Sequence, residues 1–305
     1  MKINVVWSSW WHTAARTRRM HTLCSATLAS ALLLASCNKE IISEISPPPL
    51  NDIEPEFGVL TTTGHYTMAT YNVRRITSSD TGNKSWTVRR PLVKKIILDK
   101  GFDLLGVQKP LGTQIDHMKA DLTPHGYANF GVSDHGDHAY QHQDIFYKTS
   151  KFNLLGTGRF WLAPGAPTSV PSNPTPWDSY YHTSVVTWGR FQDKATGQIF
   201  YVFNAHFNPG NPNGGTPKAE DARKQSALLM LSKIPEIAGD APVIFMGDLN
   251  SNQMTEVYSL LNGSSLLEET FELASEKVPT SRQTGNWWNP TPTGNSQIDH
   301  IFVTN

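Results

Sequence analysis

The sequence predicts an α/β protein in which stacked β-sheets carry helices on their outer faces. The first observation behind this prediction is a series of apolar runs, each five to nine residues long and rich in branched or aromatic residues, which is typical of buried strands. These strand-like runs occupy residues 66–73, 103–108, 144–148, 184–191, 199–207, 242–248 and 297–304.

Two helical patterns and two long loops complete the fold prediction. Residues 86–100 and 218–237 place their apolar side chains at helical spacing, so each helix has one face to bury. Several long strands and helices that each cover one face favour sheets stacked inside a helical coat. The Pro- and Gly-rich segments 164–178 and 208–217 are long enough to line a site.

The N-terminal segment has the features of a secretion signal. Three arginines precede a weakly polar stretch from Leu23 to Ser36, which is too short to span a bilayer. The stretch ends in Leu34-Ala35-Ser36-Cys37, which resembles the lipobox of bacterial lipoproteins. The resemblance implies that residues 1–36 are removed and that Cys37 is lipidated. The alternatives are an ordinary signal peptide or a buried helix that contains a cysteine, and translation could also start at Met20.

These features predict a lipid-anchored domain at the cell envelope. Residues 1–36 form the signal peptide, residues 37–65 a Pro-rich tether, and residues 66–305 one domain. Removal of the signal leaves 22 basic and 26 acidic residues, a net charge of −4, which disfavours non-specific coating of nucleic acid. No sequence feature indicates a protein partner, so we expect a monomer on the membrane.

The cysteine count excludes several chemistries. Cys24 is removed with the signal and Cys37 carries the lipid, so the folded domain has no thiol. Cysteine nucleophiles, disulfides and zinc–cysteine sites are therefore excluded. The sequence also lacks the GxSxG, HExxH and P-loop patterns, which disfavours serine hydrolases, zinc proteases and nucleotide triphosphatases.

Four of the predicted strands end in polar residues. Asn72, His206 and Asp299 lie at or near the ends of separate apolar runs, and Asp248 and Asn250 follow a fourth run. A single polar residue at a strand end is usually a turn former. Together, however, a carboxylate and amides are oxygen ligands suited to Mg²⁺, and a nearby histidine can stabilise developing charge.

The same segments resemble the endonuclease/exonuclease/phosphatase superfamily. TYNVR, LLGVQ, FNAHF, MGDLN and QIDHIFV occur in the order and roughly the spacing of that family, over about residues 66–305. The resemblance implies a DNase I-like four-layered α/β sandwich, in which two mixed β-sheets are flanked by helices. It also implies hydrolysis of a phosphodiester or phosphomonoester with Mg²⁺ (or Mn²⁺), by a chain that lacks the C-terminal strand of the family.

The resemblance also implies a role for each residue at the strand ends. Asp248 would orient or deprotonate the attacking water beside the metal, and Asn250 would donate to the scissile phosphate. His206 would contact a phosphate oxygen. Asn72 would support the metal and the phosphate, and Asp299 would orient a second, C-terminal histidine. The leucine between Asp248 and Asn250 points the other way because strand side chains alternate.

Lys109 is the main departure from the family pattern. The family has a metal-binding glutamate after the glutamine of LLGVQ, and Lys109 stands at that metal position. A charged lysine has no lone pair for a metal. Asp103 cannot replace the glutamate, because six strand residues span roughly 20 Å. We therefore expect metal affinity to fall severely, because like charges repel, and the Lys109 ammonium could instead hold a phosphate directly.

The C-terminal end is a second departure, because the family continues into a further strand with a Ser-Asp-His motif, whereas this sequence ends at Asn305. A missing interior strand would leave backbone groups unpaired. A truncated gene and a native end explain this sequence equally well.

Three weaker signals have both a functional and a structural interpretation. Tyr147 is a candidate phosphate contact or a core tyrosine. Residues 134–144, rich in His and Asp, are a candidate transition-metal loop or a solvated loop. Trp287 and Trp288 are candidates for stacking on a base or sugar, or for packing at the rim.

Two functional hypotheses follow from the sequence. The first is a membrane-tethered, metal-dependent phosphoesterase whose activity is impaired by Lys109 and by the missing histidine. The second is an inactive relative that binds a phosphorylated or glycan ligand. The substrate class stays open, because the family fold serves nucleic acids, lipids and sugar phosphates.

Overall fold

The protein contains two mixed β-sheets with helices on their outer faces. The structure, a computed structural model, describes residues 2–5, 65–171, 177, 184–210, 217–277, 282–285, 288–289 and 294–304. The strands are β1 (Lys2–Val5), β2 (His65–Asn72), β3 (Leu104–Leu111), β4 (Tyr127–Phe130), β5 (Gln141–Lys148), β6 (Phe152–Trp161), β7 (Val185–Asp193), β8 (Ile199–His206), β9 (Val243–Asp248), β10 (Leu267–Glu269) and β11 (Asp299–Thr304). The helices are α1 (Trp86–Lys100), α2 (Gly112–Leu122), α3 (Pro217–Ala238), α4 (Glu256–Asn262) and α5 (Thr270–Leu273).

Each sheet combines parallel and antiparallel strands. The first sheet has the order β1-β2-β3-β5-β4, and the second has the order β10-β11-β9-β8-β7-β6. In the first sheet β1, β2 and β3 run parallel. In the second sheet β8 and β9 form the parallel pair. Since parallel neighbours end at the same edge of a sheet, β2 and β3 place their C-terminal residues together, and so do β8 and β9.

Three apolar cores separate four layers. The core between the sheets contains Met68 and Leu104 from the first sheet and Phe200 and Met246 from the second. A second core lies between the first sheet and helices α1 and α2, and a third lies between the second sheet and helices α3 and α4. The predicted sandwich of two mixed sheets flanked by helices is therefore confirmed.

Several predicted features lie outside the described residues. Among them are the lipidation site Cys37 and the predicted tether 37–65 except its last residue, His65, which begins β2; both stay predictions. The sequence analysis did not predict β1, which pairs with β2. Strand β11 is paired on both sides, by β9 and by β10. In the described part of the chain, no helix is both long and apolar enough to cross a membrane.

Candidate phosphate site

The strand-end residues predicted from sequence lie together at one end of the sandwich. Asp248, at the end of β9, is paired in register with His206 on one side and with Asp299 on the other. Asn72 reaches the same carboxylate from the first sheet, because its Nδ2 donates to Asp248 Oδ2 at 2.7 Å. The site is thus built across both sheets, with Asp248 at its centre.

Asp248 is held in one orientation by its neighbours. While Asn72 donates to Oδ2, the backbone N–H of Asn250 donates to Oδ1 at 3.0 Å. Asn250 adopts a left-handed φ of 47°, which asparagine tolerates better than most residues. The tight turn after β9 therefore folds the chain back over the Asp248 carboxylate. Asp248 is buried, with 3 % of its surface exposed.

His206 is a buried neutral imidazole. Asn250 Nδ2 lies 2.9 Å from the carbonyl oxygen of Phe207 and 3.1 Å from His206 Nε2, so its two hydrogens serve these two acceptors. We therefore assign the histidine proton to Nδ1, which has no hydrogen-bond partner in the described part of the chain. Burial, reinforced by the charge of Lys109, lowers the pKa of His206 well below its usual value.

Burial and a neighbouring carboxylate favour the protonated form of Asp299. Burial and the charge of neighbouring Asp248 raise the pKa of Asp299 well above its usual value, although Thr284 and Lys109 oppose this shift. Two carboxylates side by side cannot both ionise without mutual repulsion. The neutral form is therefore favoured at Asp299, whereas Asp248 accepts two hydrogen bonds, from Asn72 and Asn250.

Lys109 lies at a local irregularity of β3 beside the site. The register of β3 against β5 shifts between Gln108 and Leu111, and Lys109 has a left-handed φ of 70°. Such bulges re-aim side chains next to active sites, and a lysine in this conformation costs about 1 kcal/mol or more. The Lys109 charge acts on both His206 and Asp299, so the ammonium belongs to the same cluster.

A buried amide pair joins the two sheets beneath the site. Gln108 Nε2 donates to Asn204 Oδ1 at 2.7 Å and to Thr70 Oγ1 at 3.0 Å. Asn204 Nδ2 donates in return to the carbonyl oxygens of Val107 and Asp144. Both amides are completely buried, so each hydrogen bond replaces one that water would otherwise form.

Asp134, the first residue of the candidate metal loop 134–144, is a buried carboxyl group, which the sequence did not predict. Its Oδ1 accepts from the backbone N–H of Val185 at 3.1 Å and from Gln143 Nε2 at 3.3 Å. Burial raises the pKa of Asp134 to about 7, and the charge of Lys109 acts against this shift. Only the polar composition of residues 134–144 pointed to this segment.

The segment 134–144 is not a solvated loop throughout. Its last four residues belong to β5, where His142 and Asp144 are buried and lie 3.1 Å apart. His138 bonds to Asp116 in an exposed pair instead. Within the described residues, no group of three His, Cys, Asp or Glu side chains could hold a metal ion, so the transition-metal interpretation finds no site there.

Of the two interpretations of Tyr147, the structure favours the core tyrosine over the phosphate contact. Tyr147 pairs with Leu104 on β3, four residues before the site-end residue Gln108. Its ring packs against Phe191, with centroids 5.2 Å apart, and against Phe130. The apolar run around Tyr147 gave no sign of which end of β5 faces the site, and the tyrosine lies in the core.

A match to a family model establishes which protein family the chain belongs to. The model of the endonuclease/exonuclease/phosphatase family matches residues 69–305, which is most of the chain. The chain belongs to this family. Its members include phosphatases and nucleases, so the general activity associated with the fold is that of a phosphoesterase.

Solved structures of the family agree with the fold. The mannosyl-6-phosphatase of Bacteroides thetaiotaomicron VPI-5482 is 29% identical, with 78% of this chain and 84% of that one covered at a TM-score of 0.68. The endonuclease/exonuclease/phosphatase from Bacteroides vulgatus is 31% identical, with 78% and 86% covered at a TM-score of 0.68. The human Nocturnin catalytic domain shares the fold at 18% identity, 73% and 77% coverage and a TM-score of 0.56. No curated protein matches the chain significantly.

The residues at the site do not fit the divalent metal on which family members generally depend. Asp248 accepts one hydrogen bond at each oxygen, from Asn72 and from Asn250, so each oxygen keeps one further lone pair. The pKa of Asp299 is raised well above its usual value, chiefly by burial, which favours its neutral form, and Lys109 places a positive charge beside it. One ionised carboxylate beside an ammonium is a poor donor set for Mg²⁺, which prefers several anionic oxygens. The metal-binding roles proposed for Asn72 and Asp248 stay predictions.

Proposed function

We propose that the chain binds the phosphate group of a phosphate ester at the strand ends, with Lys109 as the cation, and hydrolyses the ester only weakly. The observation that carries this proposal is the position of Lys109, whose charge acts on both His206 and Asp299 beside the central carboxylate. An ammonium near a cluster of strand ends can pair with a phosphate oxygen without any metal.

The two carboxyl groups divide the chemistry of hydrolysis between them. The ionised Asp248 accepts a proton as water attacks phosphorus, and the protonated Asp299 supplies a proton to the alcohol oxygen as the ester bond breaks. The Lys109 charge stabilises the phosphoryl oxygens in the transition state. Asn250, whose amide hydrogens are engaged by His206 and Phe207, positions the imidazole rather than the phosphate.

The similar protein from Bacteroides thetaiotaomicron is a mannosyl-6-phosphatase, which supports a sugar phosphate as one substrate class to test. Lys109 also supports the second hypothesis, a relative that binds a phosphorylated or glycan ligand without turnover, because a single ammonium supplies less charge than a divalent cation. One experiment separates the two hypotheses.

The experiment changes Lys109 to glutamate and follows both Mg²⁺ binding and hydrolysis. The substrates are bis(p-nitrophenyl) phosphate, p-nitrophenyl phosphate and mannose 6-phosphate, each with Mg²⁺ and with EDTA. We expect slow, EDTA-insensitive hydrolysis by the unmodified chain. We expect Lys109→Glu to bind Mg²⁺ in calorimetry and to hydrolyse at least about tenfold faster, because the substitution replaces a positive charge with a metal ligand.

The matched control is Lys119→Glu, the same charge change at an exposed lysine of α2. It should leave Mg²⁺ binding and hydrolysis unchanged. Fast, EDTA-sensitive hydrolysis by the unmodified chain would show that Lys109 does not replace the metal. Phosphate binding with no hydrolysis by either protein would favour the binding-only hypothesis.

A further inference from the structure

Trp288 lies among three cationic side chains at the rim of the candidate phosphate site. The distances from the ring centroid are 5.2 Å to Arg74 Cζ, 5.5 Å to Lys84 Nζ and 5.8 Å to Arg89 Cζ. Each distance is within the range of a cation–π contact. We call Arg74, Lys84, Arg89 and Trp288 the Trp288 cluster.

The positive charge of the Trp288 cluster is only partly compensated. Asp80 accepts from Nε and Nη2 of Arg74, each at 2.8 Å. Arg89 is buried at 1 % exposure and donates to the backbone carbonyl oxygens of Lys84, Val73 and Arg74 rather than to a carboxylate. Lys84 is exposed and forms no ion pair with any described residue. Three cations and one carboxylate leave a surplus of two positive charges.

One hydrogen-bonded connection places the Trp288 cluster beside the candidate phosphate site, and proximity in the sequence agrees with it. The backbone N–H of Arg74 donates to Asn72 Oδ1 at 3.0 Å, and Asn72 in turn donates to Asp248. On the other side, Thr284 Oγ1 accepts from the backbone N–H of Asp299 at 3.1 Å, and Trp288 follows Thr284 by four residues. The cluster is therefore continuous with the residues that surround the central carboxylate.

We propose that the Trp288 cluster is a second anion subsite, which takes a further phosphate group of a ligand whose first phosphate lies at Lys109. This inference rests on the proposed function, because the first phosphate of the ligand must bind at Lys109. Two surplus charges match the charge of a phosphate monoester at neutral pH. The cations lie over the indole ring, so the cluster favours an anion over a stacked base or sugar. The substrate class is then a phosphate ester that carries two phosphate groups.

The test compares two probes that differ by one phosphate group, hexane-1,6-diol monophosphate and hexane-1,6-diol bisphosphate. Their flexible linker lets the second phosphate find the subsite without a nucleobase or sugar. We expect calorimetry at low salt to show that the bisphosphate binds the unmodified chain about tenfold more tightly than the monophosphate. High salt should reduce this advantage, because the subsite is partly exposed.

Lys84 is the residue to vary, because its side chain is exposed and its hydrogen bond to Arg89 uses only its backbone carbonyl. Lys84→Gln should reduce the bisphosphate advantage about threefold, Lys84→Glu should abolish it, and Lys84→Arg should keep it. The controls are Lys119→Gln and Lys119→Glu, which should keep the advantage in full.

The outcomes distinguish the subsite from the site at Lys109. Equal binding of the two probes to the unmodified chain, with the monophosphate still bound, overturns the subsite and leaves the proposed function standing. An advantage that survives Lys84→Glu, or that Lys119→Glu removes equally, also overturns the subsite. Failure of both probes to bind overturns the subsite and the proposed function together.

Discussion

The two ends of the sandwich use the same kinds of side chain for different purposes. At the end away from the candidate site, Asp103 is buried at 2 % exposure and accepts from the backbone N–H of Thr67 at 2.9 Å. It also accepts from Lys148 Nζ at 3.1 Å and from Lys151 Nζ at 2.7 Å. At the site end, Asp248, Asp299 and Lys109 form no comparable set of ion pairs among the described residues.

This difference separates a structural charge cluster from a functional one. The carboxylate of Asp103 has a partner for each oxygen, so the cluster stabilises the fold and has little capacity left for a ligand. At the site end, burial and the charge of Asp248 together favour the protonated form of Asp299, and the buried Nδ1 of His206 has no partner among the described residues. Groups that have a shifted pKa or lack a hydrogen-bond partner reduce the stability of the fold and remain available to a substrate.

Replacement of the structural carboxylate should have the largest effect on stability. Asp103→Ala leaves two lysines without their shared partner and a backbone N–H without its acceptor. We expect a loss of about 3 kcal/mol in the free energy of unfolding, measured with urea, since breaking a buried ion pair costs about that much. Phosphate binding should not change in the fraction that stays folded.

Asp99 provides the control for that prediction. It pairs with Lys95 on the exposed surface of α1, and Asp99→Ala should change the free energy of unfolding by less than about 0.5 kcal/mol. Equal losses from Asp103→Ala and Asp99→Ala would contradict the structural role of Asp103.

Replacement of Asp134 should instead stabilise the protein, and only at high pH. The pKa of Asp134 is raised to about 7 in the folded protein. The folded state therefore binds the proton of Asp134 more tightly than the unfolded state does. As the pH rises from about 4, the pKa in the unfolded chain, through about 7, the pKa in the folded protein, the free energy of unfolding decreases. Asp134→Asn avoids this loss, so its stability relative to the unmodified chain should rise by about 2 kcal/mol between pH 5 and pH 8. Thermal or urea unfolding at the two pH values measures the change.

The same experiment on Asp99→Asn gives the baseline for an exposed carboxylate, which should show no comparable dependence on pH. A constant difference between Asp134→Asn and the unmodified chain at both pH values would show that Asp134 is ionised throughout.

The smallest stability effect is expected at Asn250, where the effect on binding should be larger. Asn250→Gly removes the amide that positions His206 but suits the left-handed φ of 47°. We expect a change of about 1 kcal/mol or less in the free energy of unfolding, and about tenfold weaker binding of inorganic phosphate. Asn250→Ala loses the same amide and adds backbone strain, so it should be less stable than Asn250→Gly with equally weak binding. Unchanged phosphate affinity in both variants would exclude a positioning role for Asn250.

The elements predicted from sequence are those with strong periodicity. Helix α1 has the predicted bounds, and α3 differs from the predicted helix by one residue at each end. Strand β6 was missed because Gly156 and Gly158 break its pattern. Gly158 is required by tertiary packing, since a Cβ there would lie 2.2 Å from the indole of Trp188. Local patterns do not contain this information.

The site residues predicted from strand ends do lie together, because the chain direction of parallel strands fixes which ends meet. Tyr147 and Asp134 show the limit of that reasoning. The position of Tyr147 depends on the register of β5 against β3, and the burial of Asp134 depends on its contact with β7. Neither the strand register nor this contact can be predicted from the local sequence.

The amide pair of Gln108 and Asn204 has a consequence for the order of folding. If the two sheets docked one residue out of step, both amides would be buried without their partners, which would cost several kcal/mol. Misdocked arrangements are therefore strongly disfavoured. Since Asn72 and Asp248 come from different sheets, the proposed phosphate site forms only when the two sheets have docked in the correct alignment.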